Sequence, residues 1–525
     1  MTSSLLFARV LPLVVPFLGQ QDKIDLACTC YDVYRAVIPS VYQNLLFSGR
    51  SLLEPSLKWS NVGSLQNPFV SEKRHTQVYE LRQELLFETL TLNKELLQCV
   101  ESVVVAGTQI SPDLALLLSQ APNLKRFDVP NAQRLASNLA STSLASVLIT
   151  DLEQLCHLPD TVTEIRLGVF DSDKISVSDR ARALARVYAA SSLVLVSDEP
   201  SICAFLKFLQ PFATLRLRSL SVVYYHGYND YNQAARLLVR QLLDHTDAAQ
   251  LCRLEITAGC DQMACACLNE FAAHLCSKPL HLKQLALLQK TVHRDHNYTE
   301  KFDVAVTALL KQLPNNTHLE QLYLRHSPPL DGMIVHGFEG NYIKRRNLYQ
   351  ETLPLLTGLQ KLVCPTFVWS LAGYEQLMSD LLWNGCSCPH CDSFLSLFDE
   401  FIMTHHFYDS SAGLEKDVIS PCFFSCAAAT LAARFIGTPF DNLPLLNVSW
   451  NFHTLLSIDH DPTYDCRFNQ GFFRPLATCI SHFCSDYVDA LGRSNENLVH
   501  INLNGIVFQK NGKWGCTNER AYQQS

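Results

Sequence analysis

A short segment of this chain places three thiols close together: Cys386-Ser387-Cys388-Pro389-His390-Cys391. Thiolate and imidazole groups hold structural zinc, so Cys386, Cys388 and Cys391 are candidate metal ligands. The candidates for the fourth ligand of a tetrahedral site are His390, His405, His406, Cys422 and Cys426. Zinc is normally held by two separated pairs of ligands, whereas this segment is one crowded cluster. The alternative is a turn before a helix over 392–403, with the cysteines as small buried groups.

No other pattern in the sequence indicates catalysis. The chain contains no Gly-rich phosphate loop, no His-Glu-x-x-His and no Gly-x-Ser-x-Gly. Cys391 directly follows His390, but neighbours in sequence rarely point at one another as a nucleophile and its base must. The polar run Asp459-His460-Asp461 stands beside Pro462 and is typical of a solvated turn. We therefore expect no enzyme and no cofactor, with a structural zinc ion as the alternative.

The composition is that of a folded protein without an overall basic charge. Apolar residues make up 48% of the 525 residues and charged residues 18%, so we expect little disorder. The formal net charge of -8 argues against nucleic acid as a partner, because gripping nucleic acid usually needs a basic face. A chain of this length predicts roughly two to four structural units, or one elongated array.

The cysteines indicate a reducing compartment. The chain has 20 of them, and several stand in apolar helical stretches, as Cys265, Cys267 and Cys276 do. The apolar run over 10–18 is short, contains two prolines and lacks the cleavage site of a signal peptide. No stretch reaches the roughly 18 apolar residues of a membrane span. We expect a cytoplasmic or nuclear protein, or one found in both compartments.

Segments of the form apolar-x-x-apolar-x-apolar recur along the chain. Their first residues are Val100, Leu124, Val162, Leu217, Leu251, Leu282, Leu319, Leu359 and Leu498. The last two apolar positions of each segment lie two residues apart, which puts them on one face of a short strand. Helical patterns lie between the segments, for example over 113–119 after Ser111-Pro112, over 234–243 and over 304–313.

The order of these elements indicates a repeat fold. A strand followed by a helix at a spacing of roughly 20–40 residues is typical of a leucine-rich-repeat solenoid. Successive strands should be parallel, because a helix crosses over between them. The pattern therefore predicts Leu254, Leu285 and Leu322 on adjacent parallel strands. The alternative is a set of unrelated α/β units.

The N-terminal segment over 1–50 carries short helical patterns around one acidic residue. Its candidate contact residues are Leu11, Pro12, Val15, Leu18, Ile24 and Leu26. Asp22 stands where it can cap the second helix, and Cys30 and Tyr34 follow it. The arrangement resembles the F-box, the helical module that docks onto the Skp-type adaptor of cullin-RING ubiquitin ligases.

The resemblance implies that the candidate contact residues named above bind a Skp-type adaptor. It also implies that Cys30 is buried and that Tyr34 lies near the position of the family's Trp. The chain departs from the family because Leu11-Pro12 stands closer to Asp22 than the family's Leu-Pro does. A prolyl residue removes a backbone donor, so Pro12 and Pro16 should shorten or kink the first helix. The alternative is an ordinary helical hairpin that closes the repeat array.

The predicted fold class is α/β, with an N-terminal F-box-like helical module followed by an irregular leucine-rich-repeat solenoid. The predicted boundaries are 1–50 for the adaptor-binding helices, 51–98 for a helical connector, 99–370 for degenerate leucine-rich repeats, 371–440 for a Cys- and aromatic-rich insertion, and 441–525 for a C-terminal repeat and cap. The turn at 386–391, together with Phe398-Asp399 and Lys416-Asp417-Val418-Ile419, looks similar to a segment of some budding-yeast F-box-like proteins.

Two aromatic segments are candidate contacts for a client protein. The first follows a predicted strand and contains Tyr224, Tyr225, Tyr228 and Tyr231. The second runs over 331–349 and contains Phe338, Tyr342 and the basic triplet Lys344-Arg345-Arg346. Tyrosines on loops bury a large area at a low entropic cost, which suits recognition. The alternative is that these loops fold back onto the solenoid and that the basic triplet is a solvated edge.

The resemblance implies a protein that assembles others and performs no chemistry itself. In the usual case such a chain is the substrate-recognition subunit of an SCF-type (Skp–cullin–F-box) ubiquitin ligase, with a cullin bound through the adaptor. The client protein cannot be named from the sequence. The alternative is a non-ligase F-box-like protein that binds the adaptor and sequesters or regulates a partner, such as a Rab GTPase in membrane traffic.

Overall fold

The computed structural model describes the greater part of the chain in separate stretches. The described residues are 10–15, 18, 20–48, 60–63, 72–106, 108–130, 142–172, 176–195, 199–209, 214–226, 240–260, 265–289, 299–313, 319–325, 344–345, 347–364, 386, 388–393, 470–503 and 506–516. The chain divides into two compact units. The first contains 1–221 and 441–449, and the second contains 222–440 and 450–525.

The described part of the first unit begins, at residue 10, with three short helices. Residues 10–14 form α1, Gln20–Ala27 form α2, and Tyr31–Tyr42 form α3. The core of this helical module consists of Leu11, Val15, Ala27, Val33 and Val37, with Leu26 packed against it. The second α-helix starts before Asp22, which therefore lies in its first turn and not at its N-cap. A carboxylate in that position still interacts favourably with the helix dipole.

A parallel sheet follows the helical module in the first unit. Its strands are β1 Asn44–Ser48, β2 Ser60–Gly63, β3 Ser102–Ala106, β4 Arg126–Asp128, β5 Ser146–Asp151, β6 Glu164–Ser172, β7 Ser192–Leu195 and β8 Ser219–His226. The boundary between the two units falls within β8. The spatial order is β2-β1-β3-β4-β5-β6-β7-β8, and each of these pairs is parallel.

Helices and one tight turn connect the strands of the first unit. They are α4 Glu72–Leu92, α5 Lys94–Leu97, α6 Pro112–Ser119, the 3-10 turn Leu152–His157, α7 Val177–Ala189 and α8 Glu199–Phe208. The start of α6 confirms the predicted signal, because the Ser111 hydroxyl accepts a hydrogen bond from the N–H of Leu114. A proline at the first helical position costs no hydrogen bond there.

The second unit contains a parallel sheet that ends in an antiparallel hairpin. Its strands are β9 Arg253–Cys260, β10 Gln284–Gln289, β11 Gln321–Arg325, β12 Lys361–Cys364, β13 His500–Leu503, β14 Ile506–Asn511 and β15 Lys513–Cys516. Strands β9 to β13 are parallel neighbours in chain order. Strands β13, β14 and β15 pair antiparallel, and Gly512 adopts a positive φ of 81° between β14 and β15.

The helices of the second unit lie between successive strands in the chain, the last of them between β12 and β13. They are α9 Cys267–Cys276, α10 Thr299–Gln312 and α11 Gln470–Ser494, together with the π turn Leu348–Thr352 and the 3-10 turn Leu353–Leu355. Helix α10 contains most of the helix predicted over 304–313. Of the helix predicted over 234–243, residues 240–243 are helical, and the others lie outside the described residues. Among the helices described, none is both long and apolar enough to cross a membrane.

The register of the second sheet confirms the predicted strand pairing. Leu254, Leu285 and Leu322 are direct partners on β9, β10 and β11, and all three are buried. Leu251 and Leu282, which open two of the recurring segments, are buried in the turns that lead into their strands. Because burying one large aliphatic side chain is worth about 1.5–3 kcal/mol, each strand gains stability from the strands beside it.

Candidate docking surface and metal centre

The first α-helix divides its apolar side chains between the core and the solvent. Leu11 and Val15 are buried, whereas Val10, Leu13 and Val14 are 46%, 70% and 42% exposed. Positions i, i+3 and i+4 share one side of a helix, so the three exposed side chains form one face. We call this set the α1 face.

The structure distributes the predicted adaptor-binding residues unevenly. Leu11 and Val15 belong to the core of the helical module, so their apolar surface is already used to hold α1 against the other helices. Pro12 and Ile24 are exposed, and Leu18 and Leu26 are half-buried. The expectation that Leu11 and Val15 lie on a contact surface is therefore corrected, since reaching them requires the module to open.

One further residue of the helical module, Cys30, differs from the expectation. Cys30 is exposed and not buried, because it is the N-cap residue of α3 and its extended backbone holds it at the helix end. Tyr34 is 40% exposed on the first turns of α3. Pro12 lies within the described part of α1, and the predicted shortening or kinking of this helix stays a prediction. Pro16 lies outside the described residues.

Tyr224 is a packing residue and not a loop residue. It lies in β8, where it is 4% exposed and its ring stacks on Phe271 with 4.4 Å between the ring centroids. Its hydroxyl donates a hydrogen bond to the carbonyl oxygen of Cys267 at 3.3 Å. Strand β8 ends at His226, four residues beyond the recurring segment that ends at Val222, and this extension takes Tyr224 into the core. The client contact predicted for Tyr224 is corrected accordingly.

The other predicted client contacts lie where the structure gives no side-chain position. Tyr225 belongs to β8, but its side chain is not among those described. Tyr228, Tyr231, Phe338 and Tyr342 lie outside the described residues. The client contacts predicted for these five residues remain predictions.

The basic triplet contains a buried ion pair and is not simply a solvated edge. Arg345 lies with its Nε 2.9 Å from the carboxylate of Asp303 on α10, and both side chains are buried. The same guanidinium donates a hydrogen bond to Oε1 of Gln289 at the end of β10. Lys344, in contrast, is exposed. Arg345 therefore ties its segment to the sheet of the second unit.

Charged side chains also meet at the strands of the first sheet. The Asp128 carboxylate lies 2.8 Å from Arg126 and 3.1 Å from Arg166, and the Ser146 hydroxyl donates to Glu164 at 2.8 Å. Burial alone would raise the pKa of Glu164, but the neighbouring guanidinium groups of Arg166 and Arg126 hold it below its usual value. These groups pair within β4 and between strands β4, β5 and β6, which sequence spacing alone did not reveal.

The structure brings the predicted cysteine cluster together with a histidine. Cys386, Cys388, Cys391 and His482 each offer one ligand atom, and these atoms all lie within 4.8 Å of one another. His482 Nδ1 lies 3.5 Å from the sulfur of Cys388 and 3.3 Å from that of Cys391. The histidine stands on α11, and the cysteines lie before and within a helical turn over 389–393.

The local backbone favours a thiolate in this cluster. The N–H of Cys391 donates to the Cys388 sulfur, and this interaction is the largest of those that lower the pKa of Cys388 to about 6. Burial acts in the opposite direction, while contacts with Cys386 and with the sulfur of Cys391 assist the lowering. A thiolate is the form that binds metal ions. Cys388 is therefore available as a thiolate near neutral pH.

The fourth group of the cluster differs from the fourth ligands considered in the sequence. His390 is exposed, whereas His482 lies against the thiols. His405, His406, Cys422 and Cys426 lie outside the described residues.

A second cluster of thiols lies at the end of β9 and the start of α9. Cys260, Cys265 and Cys267 place their sulfur atoms within 4.8 Å of one another. A hydrogen bond with Cys260, followed by burial, raises the pKa of Cys267, so this group stays protonated. None of the cysteines whose side chains the structure describes takes part in a disulfide. Cys267 therefore lacks the thiolate character of Cys388.

A comparison with curated proteins finds a relative in the yeast Saccharomyces cerevisiae, named Non-SCF-type F-box protein ROY1. The two sequences are 34% identical over 301 residues. The chain is similar to a fungal F-box protein, as its N-terminal pattern predicted. The match covers 56% of this chain and 54% of the relative, so the chain spans about half the length of the relative that it matches. No protein-family model matches the chain.

Proposed function

We propose that this chain is a non-catalytic F-box-type protein that binds a Skp-type adaptor through its N-terminal helices. The observation that carries the proposal is the α1 face, three large apolar side chains exposed on one side of a helix whose other side is buried. Exposed apolar side chains grouped in this way are typical of a protein-binding surface. The similarity to a yeast F-box protein supports the identity of the partner.

The proposed contact surface combines the α1 face with Ile24, which is 37% exposed on α2. Leu11 and Val15 then act indirectly, because they hold α1 in place from the core side. Pro12 and the half-buried Leu18 and Leu26 complete the predicted contact as smaller contributors. The proposed contact therefore lies on the helices that the sequence predicted, but it uses the side chains on their exposed sides.

We further propose that the parallel strands of the two units belong to leucine-rich repeats that hold a client protein. The strand-after-helix order supports this, and so do the backbone contacts between successive turns. The N–H of Lys283 donates to the carbonyl of Cys252, and that of Glu320 donates to the carbonyl of Lys283, both at 2.8 Å. Each turn is thus bonded to the preceding one as repeats require when they stack.

The complex that we propose does not contain a cullin. The yeast relative is named as non-SCF-type, which favours the alternative of a chain that binds the adaptor and sequesters or regulates a partner. The other candidate is the substrate-recognition subunit of an SCF-type ligase. Identifying the client would not distinguish the two candidates, because both hold a client on the same repeats.

Co-purification tests the adaptor contact. We expect the wild-type chain to retain a Skp-type adaptor, and Leu13→Asp with Val14→Asp to lose it. Each apolar side chain that the adaptor would cover is worth about 1.5–3 kcal/mol, so charging both exposed positions removes about 3–6 kcal/mol of binding, which is more than a hundredfold in affinity. The matched control is Leu92→Asp, because Leu92 is 82% exposed and lies on α4 outside the helical module. Adaptor recovery that is unchanged in the folded double variant would refute the docking surface.

The same purified complexes distinguish the two candidates. Probing the adaptor complex for a cullin should give no signal if the chain works outside a ligase. A cullin that co-purifies in an amount equal to the adaptor would contradict the proposed complex and favour the SCF-type subunit.

A further inference from the structure

We propose that Cys386, Cys388, Cys391 and His482 bind one structural zinc ion. The site does not depend on adaptor binding, because all four residues lie in the second unit of the chain and the docking surface lies in the first.

The geometry of the four groups fits tetrahedral zinc. Zinc–sulfur bonds of about 2.3 Å and zinc–nitrogen bonds of about 2.0–2.1 Å place a sulfur and a nitrogen ligand about 3.5 Å apart, and two sulfur ligands about 3.8 Å apart. His482 Nδ1 lies 3.5 Å and 3.3 Å from two of the sulfur atoms, and no two ligand atoms are further apart than 4.8 Å. Small movements of side chains therefore suffice to complete the site.

The ligand types favour zinc over other common ions. Three thiolates and one imidazole are soft to borderline donors, which calcium and magnesium avoid. All four positions of a tetrahedral ion are filled by protein groups, which is the closed arrangement of a structural site and leaves no position for a reacting water. A metal ion at this site would therefore stabilise the fold and take no part in catalysis.

The position of the ligands explains what the ion would stabilise. Cys391 and His482 are 91 residues apart in sequence, so the ion would close a long loop and join the turn at 389–393 to α11. Closing a long loop by a cross-link removes entropy from the unfolded chain. The Tyr487 hydroxyl on α11 donates to the carbonyl of Tyr349, and the amide of Asn495, directly after α11, donates to that of Leu356. The ion would hold α11 at a separate point along its length.

Metal analysis of the full chain tests the site. Protein produced in zinc-supplemented medium and purified without chelator should contain about one zinc ion per chain. Cys388→Ser and His482→Ala should each reduce the zinc content at least severalfold. Two matched controls should leave it unchanged: Cys265→Ser, which alters the second thiol cluster, and Cys484→Ala, which removes a buried thiol from α11. A folded wild-type chain without zinc, or variants that keep it, would overturn the proposal.

A measurement on the wild-type chain keeps the proposal testable if the ligand variants fail to fold. Cobalt(II) added to chelator-treated protein should give the intense visible absorption of tetrahedral cobalt and a near-ultraviolet band from cobalt–thiolate bonds. Zinc should then remove both features, because it displaces the cobalt. Weak absorption typical of octahedral cobalt, or the absence of the thiolate band, would mean that the three cysteines and the histidine do not bind a metal together.

Discussion

Arg345 and Asp303 form an ion pair within the second unit, with 2.9 Å between the guanidinium Nε and the carboxylate. The side chains are only 5% and 0% exposed. Removing one partner from such a pair leaves a buried charge without compensation, which costs more than the pair itself contributes. The intact pair therefore contributes little net stability. It holds the segment around Arg345 on α10 chiefly because losing either partner would leave a buried charge unpaired.

We predict that Arg345→Ala or Asp303→Ala lowers the free energy of unfolding by about 3–5 kcal/mol. Arg345→Met combined with Asp303→Leu should cost far less, because it removes both charges and keeps the volume. Denaturant unfolding of the single and double variants gives the coupling. Lys283→Ala is the matched control, since its pair with Glu320 is largely exposed and should contribute less than about 1 kcal/mol. Additive effects of the two buried residues would contradict this account.

The strands were the most predictable part of the fold. More strands carry the apolar-x-x-apolar-x-apolar spacing than the nine segments from which the repeat was predicted. Strands β5 and β7 are not among the predicted strands. For β5 the recurring spacing is present, because Leu144, Val147 and Ile149 occupy the three apolar positions. For β7 the first position is Ala190, which is buried but too small to mark a repeat in a pattern of leucines. Small side chains fill such positions where the adjacent element packs closely, and spacing alone cannot reveal that.

The metal cluster was predictable only in part. The three cysteines lie within six residues of the sequence, and this close spacing indicates a metal site. His482 stands alone on a helix, 91 residues after Cys391, and no local pattern sets it apart from the other histidines. For Tyr224 the local sequence was misleading. Its aromatic neighbours indicated a loop, whereas Tyr224 lies in β8 and packs on Phe271. Contacts between distant segments decide both cases.

Tyr224 should prove important for stability. Tyr224→Phe removes the hydrogen bond to the Cys267 carbonyl and should cost about 0.5–1.5 kcal/mol. Tyr224→Ala also removes the stack on Phe271 and should cost about 3–5 kcal/mol. Thermal and urea unfolding provide the measurement. Tyr31→Ala is the control, since Tyr31 is 71% exposed and should change stability by less than about 1 kcal/mol. Equal effects at the two tyrosines would mean that Tyr224 is not buried in solution.

His500 should make the unfolding free energy depend on pH. It pairs with Lys361 across β12 and β13, and burial followed by the positive charge of Lys361 lowers the pKa of His500 to about 4. The unfolded chain protonates its histidines at about pH 6.5, so it binds the proton more readily than the folded chain does. Stability is therefore lost as the pH falls from about 6.5 toward 4.

His500→Gln should remove that part of the pH dependence. The measurement is the urea midpoint of wild type and variant at about pH 7 and about pH 5. We expect the wild-type midpoint to fall further than that of the variant between the two values. Carboxylates titrate in both proteins, so the difference between them isolates the histidine. Parallel shifts in the two proteins would show that the imidazole is protonated as readily as in the unfolded chain.

Gly492 on α11 leaves room for the indole ring of Trp514 from β15. A Cβ atom at Gly492 would overlap Nε1 of that ring, so an alanine there requires the tryptophan to move. Overpacking costs about 1–3 kcal/mol, whereas the helix propensity gained by replacing glycine with alanine is about 1 kcal/mol. The first effect outweighs the second, and Gly492→Ala should lower the melting temperature and shift the tryptophan emission as Trp514 becomes more exposed.

Gly515 provides the matched control for this substitution. It stands beside Trp514 on β15, but a Cβ atom built on it would meet nothing within 4 Å. Gly515→Ala should therefore change the free energy of unfolding by less than about 0.5 kcal/mol and leave the emission unchanged. If Gly492→Ala instead stabilised the chain without altering the emission, the indole would not pack over α11.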